Sequence, residues 1–335
     1  MPEILIIITL KDKYMKYLKI YFNKPWIILC CCLLFAVSAA AQTDNDAIMM
    51  TKNNFCVGSI YGYSSWKNYW EGTFKRDNAN LGTVSFQMVS VMGNYGITKK
   101  LNVMFGLPYI STKASQGTLH GLKGIQDLSF WVKWMPIEKQ LGSGTISLYT
   151  IGGYSFPVSD YVADFLPLSI GLRSKNLSLR GMVDYQLGSW FATGSATYVV
   201  RSKVNIDRTS YYTTEMHYTN EVSMPDAMQF NVRAGYRSSK FIAEALVGNW
   251  TTLGGFDITK NNMAFPSNKM NMTNVGVNIK YNVQAVDGLA LIGGGEYTVA
   301  GRNVGQSTTV SAGVFYILNF SHHKKTIKTA SPKTN

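Results

Sequence analysis

The chain has 335 residues, enough for one large domain or two smaller ones. Charged residues make up 15% of it and hydrophobic residues 46%, against roughly 25% charged in an ordinary soluble domain. The formal charge is +13, but residues 1–41 hold +3 and the tail after Phe320 holds +4, which leaves +6 spread over the rest with no basic cluster; nucleic acid is therefore not an expected partner.

The first 41 residues stand apart. "MKYLKIYFNKPW" opens at Met15 and is basic, "IILCCCLLFAVSA" follows, and Ala39-Ala40-Ala41 precede Gln42. A basic region, a short apolar run and a small-residue cleavage site make a secretory signal peptide. The run is too short for a membrane-spanning helix. Residues 1–14 are a dispensable extension in this reading, with translation expected to start at Met15. Cys30, Cys31 and Cys32 leave with the signal, so Cys56 alone remains. A disulfide framework and a thiolate metal site fall on that count. A lipid-modified cysteine is disfavoured, because the residues before each Cys are bulky or are Cys themselves.

After a short periplasmic segment, 42–54, the chain reads as strand, connection, strand to residue 320. The first strand is expected near Phe55–Ser65, followed by the long aromatic connection Trp66–Leu81. Val84–Tyr95 and Leu101–Ile110 share the short turn 96–100, and a long piece, 111–124, follows. Ile125–Met135 and Thr145–Phe156 are joined by 136–144, with 157–172 long again. Asn176–Leu187 and Trp190–Lys203 meet at Gly188-Ser189, before the longest break, 204–227. Met228–Arg237 and Phe241–Trp250 pair around Ser238-Ser239, and 252–271 is long. Thr273–Val283 and Leu289–Ala300 are joined by 284–288, and Ser307–Phe320 closes the series.

That makes about 12 strands, with short and long connections alternating. The pattern is the plan of an all-β, transmembrane, antiparallel up-and-down β-barrel with short periplasmic turns and long outer loops. Period-two alternation assigns the faces. Leu177, Leu179, Val183, Tyr185 and Leu187 share one face of their strand, while Arg180, Asp184 and Gln186 share the other. Apolar faces toward lipid and charges toward the lumen cost less than the inverse, since Arg or Lys facing lipid at the midplane costs roughly 2–4 kcal/mol. The expected lumen-lining residues are Asp127, Lys133, Arg180, Asp184, Arg233, Arg237, Glu244, Lys280 and Glu296. Paired, they would stiffen a small barrel; unpaired, they would bias the charge of a passing solute. Tyr95, Tyr109, Trp134, Phe156, Trp190, Tyr236, Tyr281 and Phe320 fall at strand ends, where aromatic girdles form. The lumen is either open, or plugged by Thr43–Asn54 or an inward loop.

"YGITKKLNVMFGLPYI", "GIQDLSFWVKW", "GGYSFPVSDY", "NEVSMPDAMQFNVRAGYR", "GGFDI" and "GRNVGQSTTVSAGVFY" follow one another through residues 55–320. In this order they resemble blocks of the transporter-type outer-membrane barrels named after the MetA pathway of phenol degradation. The resemblance implies an outer-membrane barrel that passes small, hydrophobic or aromatic compounds, and it carries over no site residue. The last strand, ending Val314, Tyr316, Leu318, Phe320, resembles the signal read by the barrel-assembly machinery, though a basic tail, 321–335, follows it and reads as a solvated extension. Outer-membrane lipids and that machinery are the expected partners.

Catalysis finds no support. His120 and His217 fall in loops, and His322 and His323 in the tail, away from any nucleophile on a strand. No cofactor or metal is expected. Trp66, Tyr69 and Trp70 in "WKNYWEG" could grip a sugar or aromatic solute, or could pack the first outer loop over the barrel mouth. The sequence thus points to an outer-membrane barrel that transports a small solute, with a non-transporting envelope or adhesion barrel as the alternative.

Overall fold

A computed structural model describes residues 44–259 and 262–320. The signal peptide, the start at Met15 and the basic tail lie outside the described residues. Twelve long strands form the wall. They are β1 (Asn54–Trp66), β2 (Val84–Thr98), β3 (Leu101–Ala114), β4 (Asp127–Leu141), β5 (Gly144–Pro157) and β6 (Asn176–Leu187). The second half comprises β7 (Trp190–Arg201), β8 (Ala227–Arg237), β9 (Phe241–Thr252), β10 (Asn271–Asn282), β11 (Leu289–Arg302) and β12 (Thr308–Asn319). Each pairs antiparallel with the next, and β12 pairs with β1 from Asn54↔Asn319 to Ser65↔Thr308, which closes the barrel. Closure leaves no sheet edge, as a bilayer core requires.

Short turns gather at one end and long loops at the other. Gly142 and Gly188 sit at φ +61° and +59° in two of the short turns, a left-handed conformation that only a residue without Cβ adopts at little cost. Strands β2, β3 and β4 run past the ends that the sequence pattern indicates, β4 by the most. The turn expected at 136–144 begins only after Leu141, because β4 runs on through Pro136. Proline cannot donate to a ladder, and it is accommodated at a register shift between Trp134 and Ile137. The long loops carry their own short hairpins, such as Asn68–Glu71 with Phe74–Asp77 and Tyr211–Tyr212 with Met216–His217.

The outer wall is apolar. Leu179 and Val232 are 61% and 60% exposed, and Val247, Val277 and Val310 stand out on other strands. Across the pleat from them, Arg180 is buried and Arg233 is half-buried. In water such a wall would leave a continuous apolar surface wet; in lipid it is solvated. Val232→Arg is therefore expected to destabilise the barrel in vesicles by roughly 2–4 kcal/mol, read by urea titration with heat-modifiable gel migration. An exterior facing water would give a change within about 0.5 kcal/mol.

At the long-loop end, small apolar clusters replace a single core. Leu81, Val84 and Leu168 form one, and Ile110, Tyr161 and Ile170 form another. Leu168 and Ile170 belong to the loop 158–175 after β5, which folds inward over the mouth and is tied by Thr112 Oγ1 donating to Leu168 O at 2.6 Å. Burial and the neighbouring Asp127 carboxylate hold the Tyr161 hydroxyl well above the usual tyrosine range, so it stays a donor.

Candidate lumenal site

The segment ahead of β1, expected to be periplasmic or to plug the lumen, lies inside the barrel. Asn53 turns the chain inward at φ +61°, which asparagine tolerates better than most residues. Its N–H donates to Gly96 O at 2.8 Å, and its carbonyl accepts from Phe320 N at 2.8 Å. A Cβ at Gly96 would collide with the carbonyl oxygens of Thr51 and Met50, so the wall and the segment meet here backbone to backbone. Met50 is buried against Cys56, Ala290 and Phe315. With its side-chain oxygen turned toward the segment, the buried Asn102 amide accepts from Met50 N at 2.6 Å and donates to Met50 O at 3.2 Å.

Further in, the wall's cations hold the segment. Lys133 is fully buried and its ammonium donates to Asp46 O, to Asp46 Oδ1 at 3.1 Å and to Ile48 O at 3.1 Å. Three acceptors match the three protons of an ammonium. Tyr149 Oη donates to Ala47 O at 2.8 Å, and Ala47 packs among Met135, Tyr149, Ile151 and Met182. Arg180 Nη1 reaches Asp44 O at 2.7 Å and Asp44 Oδ2 at 3.2 Å, Nε reaches Thr197 Oγ1 at 2.7 Å, and Nη2 reaches Gln229 Oε1 at 3.3 Å.

The remaining expected lumenal residues separate into local groups. Arg237 donates to Asp184 Oδ2 at 3.0 Å and Oδ1 at 3.3 Å, and its guanidinium lies 3.9 Å from the Phe191 ring centre. Arg233 Nη1 meets Glu244 Oε1 at 2.6 Å, and Asn278 donates to the same oxygen at 2.9 Å. Asp127 accepts from Tyr161 Oη at 2.6 Å. Glu296 accepts from Asn274 at 3.3 Å, and Lys280 is buried on the same face of β10 as Asn278. The nine residues are thus brought to one interior but not to one point. Sequence reasoning places Asn102 on a lumenal face and names Thr43–Asn54 as a candidate plug, but singles out neither Asp44 and Asp46 nor Tyr149. The only available signal was two carboxylates just ahead of the apolar "AIMM", complementary to inward cations on strands far along the chain.

Two spaces remain. One, about 350 Å³, lies toward the long-loop end between the inward loop and Arg180. The other, about 540 Å³, is lined by Ala47–Thr51 together with Glu138, Ser147, Asp184 and Arg237. The segment 44–51 occupies the lumen between them.

Outside the lumen, Trp70 is buried rather than presented: its N–H donates to Val304 O at 2.9 Å and its ring covers Gly301. Trp66 covers Gly305 and lies 6.1 Å from the Tyr69 ring. The geometry is that of a loop packed over the mouth. Nearby, Asp257 receives Arg302 Nε at 2.8 Å and Nη2 at 2.6 Å. The Arg302 guanidinium holds its carboxyl below 3.8. A depressed carboxylate stabilises the fold above its unfolded value and loses that contribution as pH falls through the folded one. Both side chains are about a third or more exposed, so the effect is small. Protease cleavage in the loop 253–270 is expected to be unchanged from neutral pH down to about 4 and to rise only below that. Asp257→Asn should bring the faster cleavage up to neutral pH.

A closed twelve-stranded barrel with an apolar exterior and a charged, chain-filled interior has the build of an outer-membrane β-barrel. The crystal structure of an outer membrane channel from Pseudomonas putida F1 has this fold: TM-score 0.65 and 11% identity, over 83% of this chain and 100% of that one. The NanC porin aligns with 7% identity over 78% of this chain and 98% of its own, and the translocator domain of the autotransporter NalP from Neisseria meningitidis with 9% over 82% and 90%. Both have a TM-score of 0.42, a loose likeness. No protein-family model matches the chain, and no curated protein matches it by sequence.

Proposed function

We propose that this chain is an outer-membrane channel for small solutes, secreted with residues 1–41 as its signal peptide and related to the MetA-pathway transporter-type barrels that its sequence blocks resemble. The lumenal segment is the observation that carries the reading. A barrel serving only as a scaffold could fill its interior with side chains, as eight-stranded barrels do. Here two spaces of about 350 and 540 Å³ remain on either side of a thin strip of backbone, an arrangement of vestibules and a constriction. The short turns face the periplasm in this reading, and the expected lumenal charges tune which solutes pass.

Purified protein in planar bilayers is expected to give discrete single-channel currents, and in liposomes to admit small solutes while excluding oligosaccharides. A heat-modifiable preparation with neither property overturns the reading. It would favour the envelope-interaction alternative, for which the exposed Tyr212, Met216 and Tyr218 of one outer hairpin offer a contact surface.

A further inference from the structure

The outer wall changes character at one sector of the long-loop end. Phe86 and Met88 of β2, Ile110 of β3 and Leu122 pack against the inward loop inside the barrel, and a Cβ at Gly124 would meet Ile170 of that loop. Their alternate neighbours face outward. The short strand Lys123–Ile125 runs beside β3, with Lys123 opposite Ser111 and Ile125 opposite Tyr109. On the other side of β3, β2 sets Val89 opposite Tyr109, Gln87 opposite Ser111 and Ser85 opposite Lys113. Three outward rows result. Val89, Tyr109 and Ile125 are 46%, 45% and 42% exposed and end the apolar belt. Gln87, Ser111 and Lys123 lie one step nearer the loops, and Ser85 and Lys113 one step beyond them.

Both lysines are exposed, and among the described residues neither makes an ion pair. By contrast Arg173, Lys203, Arg208 and Arg302 at the same end each have a carboxylate partner. The spacing of the two lysines is fixed by the sheet. Lys113 stands diagonal to Lys123, roughly 7–8 Å away at backbone level. Thr112 N donates to Leu122 O at 2.8 Å and Leu122 N donates to Thr112 Oγ1 at 2.9 Å, so the two backbones lie edge to edge. A Cβ at Gly121 would collide with Thr112 O. From that spacing two four-carbon stems can bring both ammoniums to one multiply charged anion. The apolar row beneath decides which kind of anion. A free ion would meet the lysines alone, whereas the phosphate of a lipid meets them while its chains lie along Val89, Tyr109 and Ile125. Gln87, Ser85 and Ser111 add amide and hydroxyl partners suited to sugar hydroxyls.

We propose that this sector binds a phosphorylated saccharide lipid of the outer leaflet. Its phosphate meets Lys113 and Lys123, its sugar meets Gln87 and Ser111, and its acyl chains lie on the apolar row. The proposal rests on the outer-membrane reading with the long loops outward, but not on conduction through the barrel.

The test uses the full secreted chain in detergent, with bound lipid counted by native mass spectrometry. The probes are diphosphoryl lipid A, lipid A stripped of its phosphates, phosphatidylglycerol and inorganic phosphate. Diphosphoryl lipid A is expected to bind at least about tenfold more tightly than the stripped form or phosphatidylglycerol, and inorganic phosphate should not displace it. Lys113→Gln with Lys123→Gln should remove that advantage and, both side chains being exposed, leave heat-modifiable migration intact. If it does not, Lys123→Gln alone is used, with a smaller loss in the same direction expected. Lys100→Gln with Lys139→Gln, exposed lysines at the short-turn end, should keep the advantage whole. Equal binding of the phosphorylated and stripped forms, or an advantage untouched by the Lys113 and Lys123 variant, overturns the proposal. Equal binding of phosphatidylglycerol, or displacement by inorganic phosphate, also overturns it and makes the pair a general anion site. A lipid A preference without single-channel currents would keep this site and remove the channel reading. Currents without the preference would do the opposite.

Discussion

Deleting residues 44–52 is expected to raise single-channel conductance several-fold while leaving a heat-modifiable barrel. The segment contributes no strand to the wall, and β1 and β12 still pair from Asn54↔Asn319 onward without it. Its removal joins the two spaces and leaves Lys133, Arg180 and Tyr149 facing a lumen that water can fill. Water then takes over the hydrogen bonds that Asp44, Asp46 and Ala47 supplied. Lys133→Met is a milder form of the same experiment. It removes three donors to the segment without lengthening or shortening the chain, and should give flickering currents between the intact and deleted levels. Conductance unchanged by the deletion would mean that ions take a path this strip does not obstruct.

Asp184→Ala is expected to cost roughly 3–5 kcal/mol, the range for breaking a buried ion pair by removing one partner. The Asp184 and Arg237 side chains are 5% and 13% exposed, so little solvent screens what remains. The loss strands the Arg237 guanidinium between Gln186 and the Phe191 ring and leaves the Thr193 hydroxyl without its acceptor. Urea titration of the variant in vesicles measures the cost. Adding Arg237→Met should recover a large part of it, because the uncompensated charge goes too. If the single variant loses less than about 1 kcal/mol, the pair is hydrated like a surface pair.

The wall was legible because its physics is periodic. In "NLSLRGMVDYQL", Leu177, Leu179 and Val183 alternate with Arg180 and Asp184, and one solvent assignment follows from the alternation alone. Loop-length parity told the two ends apart. The interior was legible only one residue at a time. Arg233 and Glu244 could be placed on inward faces, but that they would meet depends on the β8–β9 register, in which Gly235 stands opposite Glu244. Thr43–Asn54 could be named as a candidate plug but its contacts could not be read, because "DNDAIMMTKN" has no period: it is held by single contacts from β3, β4, β5 and β6 rather than by a ladder. Pro136 misled for a related reason. Proline next to a run of charges reads as a turn, and only the partner strand reveals that a bulge absorbs it.

The complete burial of Lys133 also decides how the lumen responds to ionic strength. At 1 M electrolyte the Debye length is about 3 Å, and exposed pairs are largely screened. Arg302 with Asp257 at the mouth, 32% and 41% exposed, is open to that screening. Lys133, at 0%, is surrounded by protein and by the oxygens of Asp46 and Ile48, so mobile ions cannot come between them. Concentrated electrolyte should therefore loosen the outer loops and leave the constriction as it is. Currents through the intact chain would then rise only in proportion to the conductivity of the bath.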